Sequence, residues 1–268
     1  MFAIHDAGGA VDPAVIDDLL CDRLAFCVFR GAVAADECTA LADAFSQSPH
    51  VRSRGDQVPG RTLGTIHYLK TLPQYLADSA RARADLAAFF ADRRNPLDPA
   101  LQRLAAHLAP RGVTLRGAAF EGQPLSPMVM RAWQGSGDFS LLPHEDVSQL
   151  GHGPQQPIEF TRAQPTVGNI NICLDNFASA EQGAVRLWDF SPDAAQRERL
   201  GIDTSGYPYP LEVLARSASV QVPIFAGDIY VINGKYVHAV TGGSAGGRRV
   251  TLAAMLAFTD AQTCLHWS

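Results

Sequence analysis

Residues 225–243 read FAGDIYVINGKYVHAVTGG. Positions 228–232 form an apolar, β-branched run of strand length. Asn233-Gly234 is the favoured two-residue hairpin turn, and 236–241 is the expected returning strand, with His238 on it. Eleven residues past His238 stands Arg249, at the head of a further strand over 249–258. On such a strand Arg249 and Thr251 share one face, and Val250 and Leu252 take the other. A lone histidine on a strand is most often a satisfied core residue. An arginine on a central strand is harder to dismiss, because an unpaired buried guanidinium is costly. Something anionic should meet it.

Working outward, short β-rich runs separated by Gly, Pro, Asn and Asp clusters continue on both sides. Strands are expected over 128–133, 167–174, 184–188 and 219–222, with a helical interruption over 192–200. That spacing indicates a sandwich or barrel of antiparallel strands over 113–268. Residues 1–112 read as mostly helical: helices are expected over 14–22, 36–45, 73–90 and 99–108, with one strand over 24–29. The segment 53–70 lacks periodicity and carries Gly55, Pro59, Gly60 and Gly64, so it is expected to be a long loop. The whole chain, 1–268, is expected to be one domain.

The chain has 268 residues, 47% of them hydrophobic and 18% charged, with a net charge of −5. These values fit a globular protein and exclude a nucleic-acid footprint. The five cysteines show no CxxC spacing, and the N-terminus has no basic start or apolar core, so a reduced, cytoplasmic protein is expected, with no membrane span. Homo-oligomerisation is left open. Of the 22 basic residues only Lys70 and Lys235 are lysine. The arginine fork suits carboxylates, so some of the remaining 20 are candidates to bind one.

Upstream of the opening stretch lies Pro143-His144-Glu145-Asp146. On an extended segment His144 and Asp146 point to one face and can reach one metal ion. Alone the pattern is weak, since roughly 0.6 such HxD matches are expected by chance. With His238 downstream it gains weight: two histidines and one carboxylate make the facial triad of non-haem Fe(II) oxygenases, which leaves three metal positions open.

Taken in order, these motifs resemble the Fe(II)/2-oxoglutarate-dependent oxygenase superfamily. LAFCVFRGAVAADECTALADAF is similar to its N-terminal strand and helix, HED to its HxD element, and NINICLDNFASAEQGAVRLWDF to its middle hairpin. The opening stretch is similar to the segment with the second histidine, and RRVTLAAML to the closing strand with its RxS/T pair. The resemblance implies an α+β fold with a double-stranded β-helix (jelly-roll, cupin-like) core and helical cover. It implies Fe(II) on His144, Asp146 and His238, and 2-oxoglutarate on Arg249 and Thr251, with Arg248 as second choice and Asn171 within reach. The implied reaction uses O2, releases succinate and CO2, and hydroxylates an unactivated C–H bond, with no catalytic residue beyond the iron centre.

Halogenases of the superfamily carry a small residue in place of the carboxylate, so Asp146 favours hydroxylation. The outline is also similar to stand-alone oxygenases of free or N-substituted amino acids. Substrate candidates are Arg131 on the strand before HxD, His67 and Tyr68 from the long loop, Arg162, and Trp188. A natural-product intermediate, a 2-oxoglutarate-independent cupin-like dioxygenase and a binding module remain as alternatives.

Overall fold

The computed structural model describes residues 2–54, 60–134, 137–177, 179, 181–243 and 247–268. The part of the expected loop over 55–59 lies outside them. In chain order the first part contains β1 (Ile4–Gly8), α1 (Pro13–Leu20), β2 (Phe26–Arg30), α2 (Ala35–Gln47), β3 (Arg52–Ser53), β4 (Arg61–Gly64), α3 (Leu72–Phe90) and α4 (Leu97–Leu108). There follow β5 (Thr114–Gly117), β6 (Ala119–Phe120), β7 (Gln123–Pro124), β8 (Val129–Gln134), β9 (Phe139–His144), β10 (Gly168–Asp175) and β11 (Val185–Trp188). The chain closes with α5 (Ala194–Leu200), α6 (Leu211–Leu214), β12 (Ser219–Val222), β13 (Ile229–Asn233), β14 (His238–Thr241), β15 (Arg248–Asp260) and β16 (Thr263–Trp267).

Local chemistry starts the helices where the sequence places them. The Asp12 carboxylate accepts from the Ala14 N–H, with Pro13 just inside α1. Thr71 and Gln74 cap α3 reciprocally. The helical spacing in α2 buries Cys38, Leu41, Ala42 and Phe45 on one side.

Apart from the two-stranded β6–β7 ribbon, the strands form two facing sheets. The large one runs β1-β2-β13-β10-β15-β8-β4-β3, with β16 and β5 attached beside β15; the small one runs β12-β11-β14-β9. All pairings are antiparallel except β1–β2 and β5–β16. Strand alternation sorts the large sheet's side chains between two environments. Ile170, Ile172, Val231, Val250, Leu252 and Leu256 pack with α1, α2 and α4 through Ile16, Leu19, Leu20, Phe45 and Leu104. Each such fully buried side chain is worth about 1.5–3 kcal/mol relative to exposure. The opposite residues face the small sheet, where Phe26, Val28, Tyr230 and Ile232 meet Val185, Leu187 and Val222. Asn169 and Asn171 of β10, Arg249 of β15 and Arg131 of β8 are on this inner face, so alternation delivers them between the sheets.

Three expectations need correction. Asn233-Gly234 is not a hairpin turn: β13 lies in the large sheet and β14 in the small one, so the turn carries the chain from one sheet to the other. Gly234 is demanded by space rather than by backbone handedness, since a Cβ there would stand 2.9 Å from both the Asp146 Cβ and the Val167 carbonyl oxygen. Second, the segment 53–70 is not all loop, because β4 pairs with β8 and extends the large sheet. Third, the first 112 residues give the large sheet four strands besides its helical cover. No helix among the described residues is long and apolar enough to cross a membrane.

Candidate active site

β9 and β14 are neighbours in the small sheet, and their register sets His144 directly opposite His238. The chain leaves β9 after His144 and turns at Asp146, which begins a short 3₁₀ segment over Val147–Gly151. The Asp146 N–H donates to the Gly234 carbonyl at 2.7 Å, tying the start of this turn to the sheet-to-sheet corner. One ligand atom each from His144, Asp146 and His238 then lies within 4.8 Å of the others, and all three residues are buried. Glu145, between them, points the other way. Its carboxylate accepts from the Ser148 N–H at 3.0 Å, from the Ser148 hydroxyl, and from the Tyr209 hydroxyl at 3.5 Å. Burial pushes the Glu145 carboxyl above its usual range. Its backbone N–H also holds the Gly206 carbonyl at 3.1 Å, so Glu145 pins both flanks of the triad.

The hydrogen bonds at the back of each imidazole decide which nitrogen faces the cluster. His144 Nδ1 stands 2.9 Å from the Leu142 carbonyl, and His238 Nδ1 stands 2.9 Å from the Tyr236 carbonyl. A carbonyl only accepts, so each Nδ1 carries a proton and each Nε2 is the nitrogen left for the cluster. Burial, with the neighbouring His238 ring, keeps His144 well below the usual imidazole range and therefore neutral. The Nε2 of His238 lies 3.8 Å from an Asp146 carboxylate oxygen. Neutral imidazole is the form that binds a metal, and in that form the two Nε2 atoms and the carboxylate are Lewis bases turned to one point. A cation satisfies that arrangement, and two imidazoles plus one carboxylate suit a divalent first-row metal.

Beside the cluster, β15 turns Arg249 and Thr251 inward. Arg249 is 1% exposed and Thr251 fully buried. One Arg249 N–H group donates to the Tyr230 hydroxyl at 2.6 Å. The Arg249 Nε and the Thr251 hydroxyl have no partner, and Arg249 has no carboxylate partner among the described residues. A buried cation and an orphaned hydroxyl two residues apart on one strand face fit a carboxylate ligand. Arg248 does not share this site: it points outward and binds Asp175, Asp43 and the Ser46 hydroxyl. The second-choice assignment of Arg248 is thereby removed.

The same cavity is lined by Arg131, Asn171, His67 and Tyr68, as expected, and by Asn169. Arg131 stands opposite Thr251 in the β8–β15 ladder. It donates to the Asn171 Oδ1 at 3.4 Å, its guanidinium lies 5.5 Å from the Trp133 ring centre, and its Nε has no partner. Burial, then the charges of Arg54 and Arg249, bring it down to about 10, so it remains a cation at neutral pH without a balancing carboxylate among the described residues. Asn171 has both amide hydrogens engaged by Asn169, one on the carbonyl at 2.9 Å and one on Oδ1 at 3.1 Å. It braces Arg131 rather than offering a free donor.

Two expected residues stand elsewhere. Trp188 faces the outer side of the small sheet, packed with Ile202, Tyr209 and Leu214 under Arg186, because its strand parity is opposite to that of a cavity residue. Arg162 is exposed at the end of a 3₁₀ turn over Glu159–Arg162 and does not line the cavity. Among the wall residues that escaped the sequence reading, three touch the triad or Arg249. Tyr207 approaches His144 edge-on, with centroids 6.1 Å apart. Gln149 donates to Asp146 at 3.3 Å, and Tyr230 supports Arg249. Tyr230 alone had a readable signal, as its parity on 228–232 matches the inner face.

No family model matches the chain. It is 28% identical over 249 residues to L-isoleucine 3(1)-dioxygenase of Pantoea ananatis (strain AJ13355), covering 90% of this chain and 82% of that one. Its structure is similar to that of an N-substituted L-amino acid dioxygenase of Burkholderia ambifaria AMMD, with a TM-score of 0.60 and 15% identity over 96% of this chain and 91% of that one. The complex of that enzyme with alpha-KG gives a TM-score of 0.58, at 15% identity and with the same coverage.

Proposed function

We propose that the chain, a member of the Fe(II)/2-oxoglutarate-dependent oxygenase superfamily, hydroxylates an unactivated C–H bond of a free or N-substituted amino acid. In this reading the two facing sheets are a double-stranded β-helix with helical cover, in one domain over 1–268. 2-Oxoglutarate and O2 are co-substrates, and succinate and CO2 are released. The observation that carries the proposal is the charge pattern of the cavity. Two buried guanidiniums, Arg249 and Arg131, line it with a His-Asp-His cluster, and neither has a carboxylate partner among the described residues. Two carboxylate-bearing ligands match two such cations. The curated relative acts on an amino acid and the structural relative on its N-substituted form, as their names state.

His144, Asp146 and His238 would hold Fe(II), which when bound would supply the O2 activation that this reaction class needs. The protein's part is placement. Arg249 and Thr251 take the distal carboxylate of 2-oxoglutarate, and Tyr230 holds the guanidinium in its plane. Arg131, braced by Asn171 and stacked against Trp133, takes the substrate carboxylate. Fixing both carboxylates sets the C–H bond against the metal without any protein acid or base acting on it. The inner faces of both sheets keep the site enclosed and limit competing reactions with water.

The test is a succinate-release screen with Fe(II), ascorbate and 2-oxoglutarate across proteinogenic amino acids and their N-acyl derivatives. The expected result is succinate above the uncoupled background with at least one aliphatic amino acid or derivative. The product should be heavier by one oxygen atom. Activity confined to a terpenoid or a peptide would overturn the substrate class.

A further inference from the structure

We infer that His67 is a specificity residue whose Nε2 accepts a hydrogen bond from the substrate's amino N–H, so that the enzyme selects substrates with a donor at that nitrogen. The inference rests on the amino-acid reading above and adds to it the group that reads the amine.

The protonation of His67 follows from its neighbour. Gln155 Nε2 donates to the His67 carbonyl and, at 2.7 Å, to the Lys70 carbonyl. Both are acceptors only, so the orientation of the Gln155 amide is fixed and its Oε1 faces His67 Nδ1 at 3.2 Å. Nδ1 must then carry the hydrogen, which leaves the lone pair on Nε2. Burial brings the ring down to about 4, so it is neutral at physiological pH and remains an acceptor. His67 lines the same cavity as the His-Asp-His cluster and Arg131, yet its buried Nε2 has no partner. A buried acceptor without a donor is unfavourable, and buried polar groups are otherwise satisfied almost without exception.

Two sources can supply the missing donor. One is Trp267, whose Nε1–H is also unpartnered. Its ring centre is 6.4 Å from that of His67, and the indole is held flat against Phe160, with centroids 4.9 Å apart and planes 6° apart. Trp267 does not line the cavity. The other source is the cavity's occupant. At neutral pH 2-oxoglutarate has no N–H or O–H group and can donate nothing. An amino acid's carboxylate likewise only accepts, and Arg131 is the cation placed for it. The amino group, as an ammonium or an amide N–H, is the substrate group that can fill the vacancy at Nε2.

The test is a binding cycle on enzyme loaded with Fe(II) and 2-oxoglutarate without O2, read by calorimetry. The probes are L-isoleucine and 3-methylpentanoate, the same skeleton lacking the amine, or the equivalent pair for the amino acid most active in the screen. Wild type should prefer the amine-bearing ligand by about 10–100-fold, the range of one hydrogen bond to a charged group. In His67→Phe the ratio should collapse to about 3-fold or less, with the affinity for the amine-free ligand little changed. His67→Gln, which can still present an acceptor, should restore part of the ratio. Unaltered 2-oxoglutarate affinity in the same variants shows that the site is intact; if His67→Phe loses it, His67→Gln against wild type decides. A ratio that survives in the variants while both probes weaken alike would overturn the inference and make Trp267 the partner. If no amino acid binds wild type at all, the amino-acid reading itself fails, and this inference with it.

Discussion

Arg249→Leu is expected to raise the 2-oxoglutarate KM by about 100-fold or more, without unfolding the protein. Its guanidinium can offer a carboxylate paired N–H donors, and the Thr251 hydroxyl stands on the same strand face without a partner. Hydrogen bonds to charged groups are each worth about 1.5–3 kcal/mol, so losing two predicts about 3–6 kcal/mol, or two to four decades in affinity. The stability effect has the opposite tendency. Arg249 is 1% exposed with a hydroxyl, not a carboxylate, as its hydrogen-bond partner, so in the ligand-free protein it is a buried cation without charge compensation. Leucine removes that cost and forfeits one hydrogen bond to Tyr230, worth about 1 kcal/mol. The ligand-free melting temperature should therefore change little. Added 2-oxoglutarate should raise it in wild type and not in the variant. Arg249→Lys should not restore affinity, since a point charge lacks the planar fork. An unchanged KM in Arg249→Leu would remove Arg249 from the co-substrate site.

Asp146→Ala is expected to abolish hydroxylation, by at least about three decades, and to weaken metal binding by more than the 10–100-fold typical of losing a supporting residue around a metal. The reason is charge. An imidazole binds a metal as a neutral ligand, so of His144, His238 and Asp146 only Asp146 brings an anion to the cluster. A divalent cation between two imidazoles in a buried site loses its compensation when that carboxylate goes. Without metal the sign reverses. Asp146 is 2% exposed, and its carboxylate oxygens accept long hydrogen bonds from the amides of Gln149 at 3.3 Å and Asn169 at 3.5 Å, with His238 Nε2 3.8 Å away. The metal-free variant should be at least as stable as metal-free wild type, whereas wild type alone should gain melting temperature on titration with Mn(II). Metal-dependent stabilisation that persists in the variant would place the ion elsewhere.

Where strand parity could decide, the sequence was informative. Arg249 and Thr251 against Val250 and Leu252 is a period-two pattern on a long strand, and the structure puts Arg249 in the cavity wall and Val250 and Leu252 against the helical layer as that period requires. Arg248 was separated from Arg249 on the same ground. The helices of the first 110 residues were legible through prolines near their starts and apolar spacing. Parity was less use where the partner sheet was unknown: Trp188 lies on a correctly placed strand but on its outer face, covered by Ile202, Tyr209 and Leu214. Local turn chemistry misled at Asn233-Gly234, since the two-residue signal cannot say whether the next strand pairs with the last one or crosses to another sheet. β9 was missed because FSLLPH contains Pro143 and is largely half-exposed, and β4 because a strand of four residues is too short to show a period. Tyr207 and Gln149 reach the site from irregular segments whose course is set by tertiary bonds such as Glu145 N–H to the Gly206 carbonyl.

The most direct test of the whole reading is a turnover in 18O2 with Fe(II), 2-oxoglutarate and the best amino acid from the screen, followed by mass spectrometry of both products. The balance is one amino acid, one 2-oxoglutarate and one O2 giving one hydroxylated amino acid, one succinate and one CO2. Equal amounts of succinate and hydroxylated amino acid are expected, with labelled oxygen in each. Hydroxylated product formed without succinate, or with no oxygen taken from O2, would contradict it.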